Sequence, residues 1–360
     1  MAGQIYSHQL GLITDEQFQA ALDRFQLGRF RHAEPIPFGL FGQNVFVSST
    51  KGEYVLRGRP HFAWQFPTEQ FYAHFLRERA KVPAPWPYQI DPGTDIFGWS
   101  YVLMPRMAGL QLADSQIREQ LPQLDRQAIA AALGENLAYM QQAKWPFAGR
   151  YRAATTAVEP FELALELAWP FPFESDPELA ATPRIQISYS QRVKACLLQL
   201  LAKAHAANPA ATTHKDLDWV QGYLEAAENA LDDTFAPCIV LEDYKRENLV
   251  VVHDSDRWKV SGVFDLMSAY FGDGEADLSR QFAVYLDEDS LLASTFLQGY
   301  LSNNKARPGF SERFPVYRLL DRAIIWEFLH RHEPTWWDGS QVFRDWASRY
   351  LSLAPTINVQ

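Results

Sequence analysis

The chain has 360 residues, 47% of them hydrophobic, which is enough apolar mass for one large core or two smaller ones; two lobes are the simpler reading. Its net charge of −10 is uneven: residues 1–108 carry 10 Lys or Arg and 9 Asp or Glu, net +1, so the remainder carries −11. That balance argues against nucleic acid as a partner, which needs clustered basic residues; the acidic remainder would attract an amine or other cation, or simply keep the protein soluble.

With only Cys196 and Cys238, both in apolar surroundings, no disulfide framework or cysteine metal site exists, and a reducing, cytoplasmic compartment is expected. Residues 1–9 lack the basic and apolar regions of a signal peptide, and no apolar run approaches about 18 residues, so no membrane span or membrane partner is expected. No repeats or low-complexity tracts are present.

Taken in chain order, Thr14-Asp15-Glu16-Gln17 is a capping box ahead of Phe18, Ala21, Leu22 and Phe25, and predicts a short helix packed on the first lobe. A turn with Gly39 and Gly42 runs into the strand-like Asn44-Val45-Phe46-Val47. The hairpin signal Thr50-Lys51-Gly52-Glu53 and a second strand, Tyr54-Val55-Leu56-Arg57, follow. Glycines there would let backbone amides approach phosphates, although two glycines near a turn also mark a plain hairpin. Glu69 opens a helical pattern whose apolar face is Phe71, Tyr72, Phe75 and Leu76; an acid in a first turn is favoured by the helix dipole alone. The prolines of Val82-Pro83-Ala84-Pro85-Trp86-Pro87 stop that helix.

Further on, Ile129, Leu133 and Leu137 lie four apart on one face of a long helix. Residues 169 to 190, with Trp169-Pro170-Phe171-Pro172-Phe173 and Thr182-Pro183, read as an irregular excursion that either flanks an acceptor site or packs as a loop. Helical patterns occupy about 190 to 206 and 217 to 231. His214-Lys215-Asp216-Leu217-Asp218 imitates a His-x-Asp signature, yet helical spacing continues past it, so Asp216 reads as a helix start.

The chemistry concentrates after two apolar runs, Cys238-Ile239-Val240-Leu241 and Leu249-Val250-Val251-Val252, separated by Glu242-Asp243-Tyr244-Lys245-Arg246-Glu247-Asn248. A third run, Lys259 to Phe264, delivers Asp265. Two acids and an amide converging from adjacent strand ends suit a divalent cation with phosphate oxygens, because hard cations take oxygen ligands. Beyond it, helical patterns cover Phe282 to Tyr285, Leu291 to Tyr300, Tyr317 to His330 and Phe343 to Leu351. Trp326, Trp336 and Trp337 could build an aromatic box for a quaternary ammonium, with Glu327, Glu333 and Asp338 nearby to receive an amine. Tryptophans at helical spacing also read as core. His330 and His332 are two apart, point to different helix faces, and make no metal site.

The run D-Y-K-R-E-N resembles the catalytic loop of the protein-kinase-like fold. Its sequel Asp265-Leu266-Met267, Gly272-Asp273 and Asp277-Leu278 resembles the aminoglycoside phosphotransferase and choline kinase-like family of small-molecule kinases. The resemblance implies that Asp243 accepts the substrate hydroxyl proton, that Lys245 stands near the transferred phosphate, that Asn248 and Asp265 hold Mg2+, and that Asp277 is structural. It places Gly39, Gly42 and Asn44 in a phosphate-covering hairpin and Arg57 where relatives carry the strand lysine that contacts phosphates. Glu69 is the candidate partner of Arg57, and Met104, Arg106 and Met107 line a hinge facing the base of ATP. Acceptor binding is assigned to Trp326, Glu327 and Asp273. Leu241-Glu242-Asp243 departs from the family's His-Gly-Asp, and Asp265-Leu266-Met267 from the Asp-Phe-Gly of protein kinases.

The expectation is an α+β, bilobal, kinase-like protein with an antiparallel-sheet lobe at 1–108 and a mainly helical lobe at 109–360. It would transfer the γ-phosphoryl group of ATP to a hydroxyl of a small acceptor, with amino- or ammonium-bearing compounds as one candidate class. A pseudokinase, motivated by Leu241 and Leu266-Met267, is the first rival. A protein Ser/Thr kinase would need a longer activation segment than Asp265 to Asp277 allows. A helical interaction module without nucleotide is the third rival.

Overall fold

Alternation of apolar residues lays out the first sheet. In the computed structural model, which describes residues 4–36, 42–168, 183–333 and 337–351, five antiparallel strands pair in the order Phe30–Pro35, Asn44–Ser49, Glu53–Gly58, Tyr101–Pro105, Gln89–Asp91. The register sets Val45 opposite Leu56 and Leu56 opposite Leu103, so these three share a face, and all are buried. Phe18, Ala21 and Leu22 of the helix Asp15–Arg24 pack into the same core. That helix starts with the predicted capping box: Gln17 N–H donates to Thr14 Oγ1 at 3.3 Å, and Thr14 N–H donates to Gln17 Oε1 at 2.9 Å. Such a cap is worth about 1 kcal/mol.

The second helix begins earlier than predicted, spanning Gln65–Phe75, so Glu69 lies inside it rather than opening it. It runs on through one wider turn, Leu76–Ala80, and ends where Lys81 turns left-handed at φ 56°, just ahead of Val82-Pro83.

Two compact units result, Met1–Pro122 with Arg246–Met267, and Gln123–Lys245 with Ser268–Gln360. They are discontinuous, unlike the expected division at residue 108, and hydrogen bonds explain why. The hairpin of Leu249–Asp254 and Arg257–Val263 pairs with the strand Leu110–Gln111 through Val250 and Val251, and Val263 N–H donates to Pro83 O at 3.0 Å. Gly109, at φ +135°, permits the approach: a Cβ there would lie 2.5 Å from Val251 O.

In the second unit the helices Tyr189–Ala207, His214–Ala226, Phe310–His332 and Phe343–Ser348 share a core that includes Trp326. Ile129, Leu133 and Leu137 line the buried face of the helix Gln123–Met140, as their spacing predicts. A four-stranded sheet runs Ala157–Pro160, Gly149–Arg152, Tyr270–Gly272, Cys238–Val240. Cys238–Val240 therefore pairs with Tyr270–Gly272, and not with Leu249–Asp254. Asp243 and Asn248 do not hang from adjacent strands of one sheet; the loop joining them passes from one sheet to another, a connection apolar periodicity cannot distinguish from a hairpin. Asp216 caps the start of its helix, accepting from Thr213 N–H at 2.6 Å and Arg344 N–H at 2.9 Å.

Candidate active site

In the first unit the polar residues gather around Arg57. It closes the apolar alternation of the strand Glu53–Gly58, is buried, and sits opposite Asn44 in the register. Its Nη1 lies 3.2 Å from Glu69 Oε2 and its Nη2 3.6 Å from Asp265 Oδ1. Glu69 also accepts from the Tyr88 hydroxyl and, at 3.2 Å, from Gln65 Nε2. Burial raises the Glu69 carboxyl, and Arg57 pulls it back. Burial likewise opposes the charge on Arg57, but Glu69 and Asp265 overcome it and hold the guanidinium above its ordinary range. Sequence reasoning missed Tyr88, because a tyrosine after prolines carries no signal of its partner.

Asn248 and Asp265 stand at one end of the hairpin, since Leu249 pairs with Val263 and Phe264 N–H donates to Asn248 O at 3.0 Å. Asp265 takes φ +59°, a left-handed conformation that Asp tolerates. Its side chain is 40% exposed, yet Oδ1 is buried with no hydrogen-bond partner. Leu266 and Met267 are buried in this unit. Among the described residues no group of three His, Cys, Asp or Glu is placed to hold a metal. An amide and one carboxylate are instead the sparse oxygen set that magnesium accepts when phosphates supply further ligands.

Gly42 takes φ +58° and its carbonyl accepts from Ser7 Oγ at 2.5 Å; Asn44 Oδ1 is buried without a hydrogen-bond partner. Gly39 lies outside the described residues. Met104 is buried, Arg106 is exposed with its guanidinium 3.6 Å from the Phe46 ring centroid, and Met107 is half-buried. Arg106 N–H donates to Glu53 O at 2.9 Å, which ends this strand pairing.

In the second unit the residues around Asp243 are tied down from several directions. Asp277, buried, accepts from Leu241 N–H at 2.7 Å and Glu242 N–H at 2.9 Å. Burial pushes the Asp277 carboxyl up to about 7 against those two donors, and the neighbouring Glu242 and Asp243 add to the rise. Leu241, standing where relatives write His, is buried core. Glu242, standing where they write Gly, takes φ +66°, the left-handed conformation glycine serves most cheaply. Its Oε1 lies 3.0 Å from Arg192 Nη2, and Arg192 Nε lies 2.7 Å from the buried Glu166. Burial works to raise Glu166, but Arg150, Arg192 and Arg152 outweigh it and hold the carboxyl down to about 2. Tyr244 is buried, donating to Leu133 O at 2.8 Å and accepting from Asn136 Nδ2 at 3.1 Å. Asp243 itself meets Lys245 Nζ at 2.7 Å and Arg280 Nη1 at 2.6 Å. Arg280 escaped the sequence reading, because its partners Asp243 and Asp321 lie 37 and 41 residues away along the chain.

The three assigned acceptor residues do not assemble. Trp326 is fully buried, its indole N–H donating to Thr212 Oγ1 at 2.9 Å and its ring packed against Trp337, Phe343 and Trp346. It is core and builds no aromatic box; Trp336 lies outside the described residues. Asp273 is buried and spent on structure, accepting from Tyr317 Oη at 2.6 Å, Arg307 and Glu275 N–H. Glu327 pairs with Arg331 one helical turn away, at 3.1 Å. Ten residues separate Glu327 from the Tyr317 that holds Asp273, about 15 Å along a helix.

The α+β fold with antiparallel sheets matches that of kinase-like small-molecule phosphotransferases. The sequence pattern of the phosphotransferase enzyme family (APH) matches residues 32–312, and the chain belongs to that family. No curated protein sequence matches it. Among solved structures it is similar to the apo form of a thermostable mutant of aminoglycoside phosphotransferase APH(4)-Ia, with 15% identity and a TM-score of 0.53 over 94% of this chain and 97% of that one. A candidate fructosamine-3-kinase from Haemophilus somnus 129PT has 14% identity and a TM-score of 0.58 over 93% and 96%. The choline kinase LicA from Streptococcus pneumoniae has 12% and 0.51 over 94% and 98%. Another structure of the APH(4)-Ia protein is a ternary complex with ADP and hygromycin B. Among the described residues no helix is long and apolar enough to cross a membrane.

Proposed function

We propose that the protein transfers the γ-phosphoryl group of ATP to a hydroxyl of a small molecule, with magnesium as cofactor. The observation that supports this most is the meeting of Glu69 and Asp265, carboxylates 196 positions apart in the chain, on the Arg57 guanidinium. Arg57 would bind nucleotide phosphates through its outer donors while Glu69 fixes its orientation. Met104 to Met107 would border the base, and Gly42 and Asn44 the phosphates. Asn248 and Asp265 would hold magnesium, which neutralises phosphate charge when bound. Asp265 Oδ1, 3.6 Å from Arg57 Nη2 and without a hydrogen bond, would gain a closer partner in a cation.

Asp243 would orient the acceptor hydroxyl and take its proton, and Lys245 would turn toward the transferred group. Arg192 pins Glu242, and Asp277 pins the backbone of Leu241 and Glu242, so this carboxylate would act from a fixed loop. The −11 charge outside residues 1–108 favours a cationic hydroxylated acceptor.

ATP turnover with magnesium, measured over hygromycin B, choline, a fructosamine and other hydroxylated amines and sugars, tests the reading. Stimulation by at least one compound, lost in Asp265→Ala, is expected. No stimulation by any of them, together with no magnesium-dependent binding of ATP, would reject it.

A further inference from the structure

The two oxygens of Asp243 are held unlike one another. Oδ1 receives Nη1 of Arg280 at 2.6 Å, and Arg280 is itself buried, with Nε 2.5 Å from Oδ1 of the buried Asp321. Asp321 Oδ2 in turn receives Arg322 Nε at 3.0 Å and Nη2 at 2.5 Å. Asp243, Arg280, Asp321 and Arg322 thus alternate in sign. Burial works to raise the Asp321 carboxyl, but the two arginines hold it below the ordinary range, so it stays a charged counterweight. Oδ2 instead meets Lys245, whose flexible stem leaves the side chain 28% exposed. One contact is a rigid planar fork in a buried frame, and the other is an ammonium that can turn away.

We propose that Arg280, backed by Asp321, is a positioning residue that anchors Asp243 through Oδ1 and leaves Oδ2 as the atom that takes the acceptor's proton. This rests on the phosphotransfer reading above. As the acceptor oxygen forms its bond to the γ-phosphorus, the bond from that phosphorus to the β–γ bridging oxygen breaks and ADP leaves with its electron pair. The hydroxyl proton passes to Oδ2 and then to solvent. Asp321 shares the guanidinium charge of Arg280, so this contact is not left to a lone buried cation. What is gained is orientation: in a loose phosphoryl transition state, geometry carries most of the catalysis.

The test uses the full chain with ATP, magnesium and whichever of hygromycin B, choline or a fructosamine supports the fastest turnover, or water where none does. Arg280→Ala should lower kcat by about 10²–10³-fold while KM for ATP stays within about threefold. Added guanidinium ion should restore part of the loss, and Arg280→Lys should fall between the two. Asp321→Asn should lower kcat about tenfold, and with Arg280→Lys it carries the test if Arg280→Ala does not fold. Folded variants with unchanged kcat, or with kcat and ATP binding lost in parallel and no rescue by guanidinium, would overturn the inference. A wild-type protein with no turnover on any acceptor, water included, overturns the functional reading and this inference with it.

Discussion

The polar residues around Arg57 and those around Asp243 are both built from buried charge, yet their unpartnered atoms fall in different places. Around Arg57, Asp265 Oδ1, Asn44 Oδ1 and Arg57 Nε are buried with no hydrogen-bond partner. Around Asp243, both its oxygens meet cations, both Asp277 oxygens meet N–H donors, and the Tyr244 hydroxyl is donor and acceptor at once, while the atoms without a hydrogen-bond partner, Glu242 Oε2, Arg192 Nη1 and Glu166 Oε1, lie one step out in the supporting ion pairs. A buried polar atom without a partner costs on the order of 1–3 kcal/mol, so a fold keeps such atoms where a ligand or a neighbouring charge repays them. The first group has the unmet valence of a binding surface. The second has the rigidity of a scaffold that must place one carboxylate.

The largest test of that contrast is Asp243→Asn. It preserves shape but removes the base, and kcat should fall about 10²–10⁴-fold with ATP and magnesium binding retained. Equal losses in binding and turnover, by equilibrium binding beside steady-state kinetics, would show that the scaffold side also holds nucleotide.

Next in size is acid sensitivity. Glu166 is held down to about 2, from an ordinary value of 4.5. A depressed carboxylate contributes stability that is present above its unfolded pKa and lost as pH falls through its folded one. Glu166 should therefore cost roughly 3 kcal/mol of stability between about pH 4.5 and 2. Asp277, raised to about 7, works in the opposite sense: its contribution is full below its unfolded pKa of 3.8 and is lost as pH rises through about 7. Denaturation midpoints of wild type and Glu166→Gln from pH 2 to 7 check this. The difference between the two should shrink toward pH 2, and a constant difference would contradict the assignment.

Arg57→Ala should weaken ATP binding about 10–100-fold, because a phosphate loses a double donor, and Arg57→Lys should recover part of it. Unchanged ATP affinity in Arg57→Ala would remove the binding half of the comparison.

The smallest effect concerns the strained Glu242. Either substitution strips Arg192 of one carboxylate partner, but only glycine relieves the φ of +66°. Glu242→Gly should be more stable than Glu242→Ala by about 1 kcal/mol, read from urea midpoints. Equal stabilities would mean that the loop does not hold its left-handed turn in the variants.

Much of this was legible from sequence wherever the information is local. The Thr14 capping box, the Thr50 to Glu53 hairpin, and the four-residue spacing of Ile129, Leu133 and Leu137 all depend on residues within a few turns or pairs of one another. Side-chain period and capping chemistry express themselves at that range. Tertiary structure decided the rest. It put Glu69 inside its helix, gave the Leu249 hairpin to the first unit, drew Cys238–Val240 to Tyr270–Gly272, made Trp326 core, and set Arg280 between Asp243 and Asp321. A buried charge must find its counter-charge wherever packing brings one, and strand register and helix crossing set that meeting at distances along the chain that no local spacing encodes.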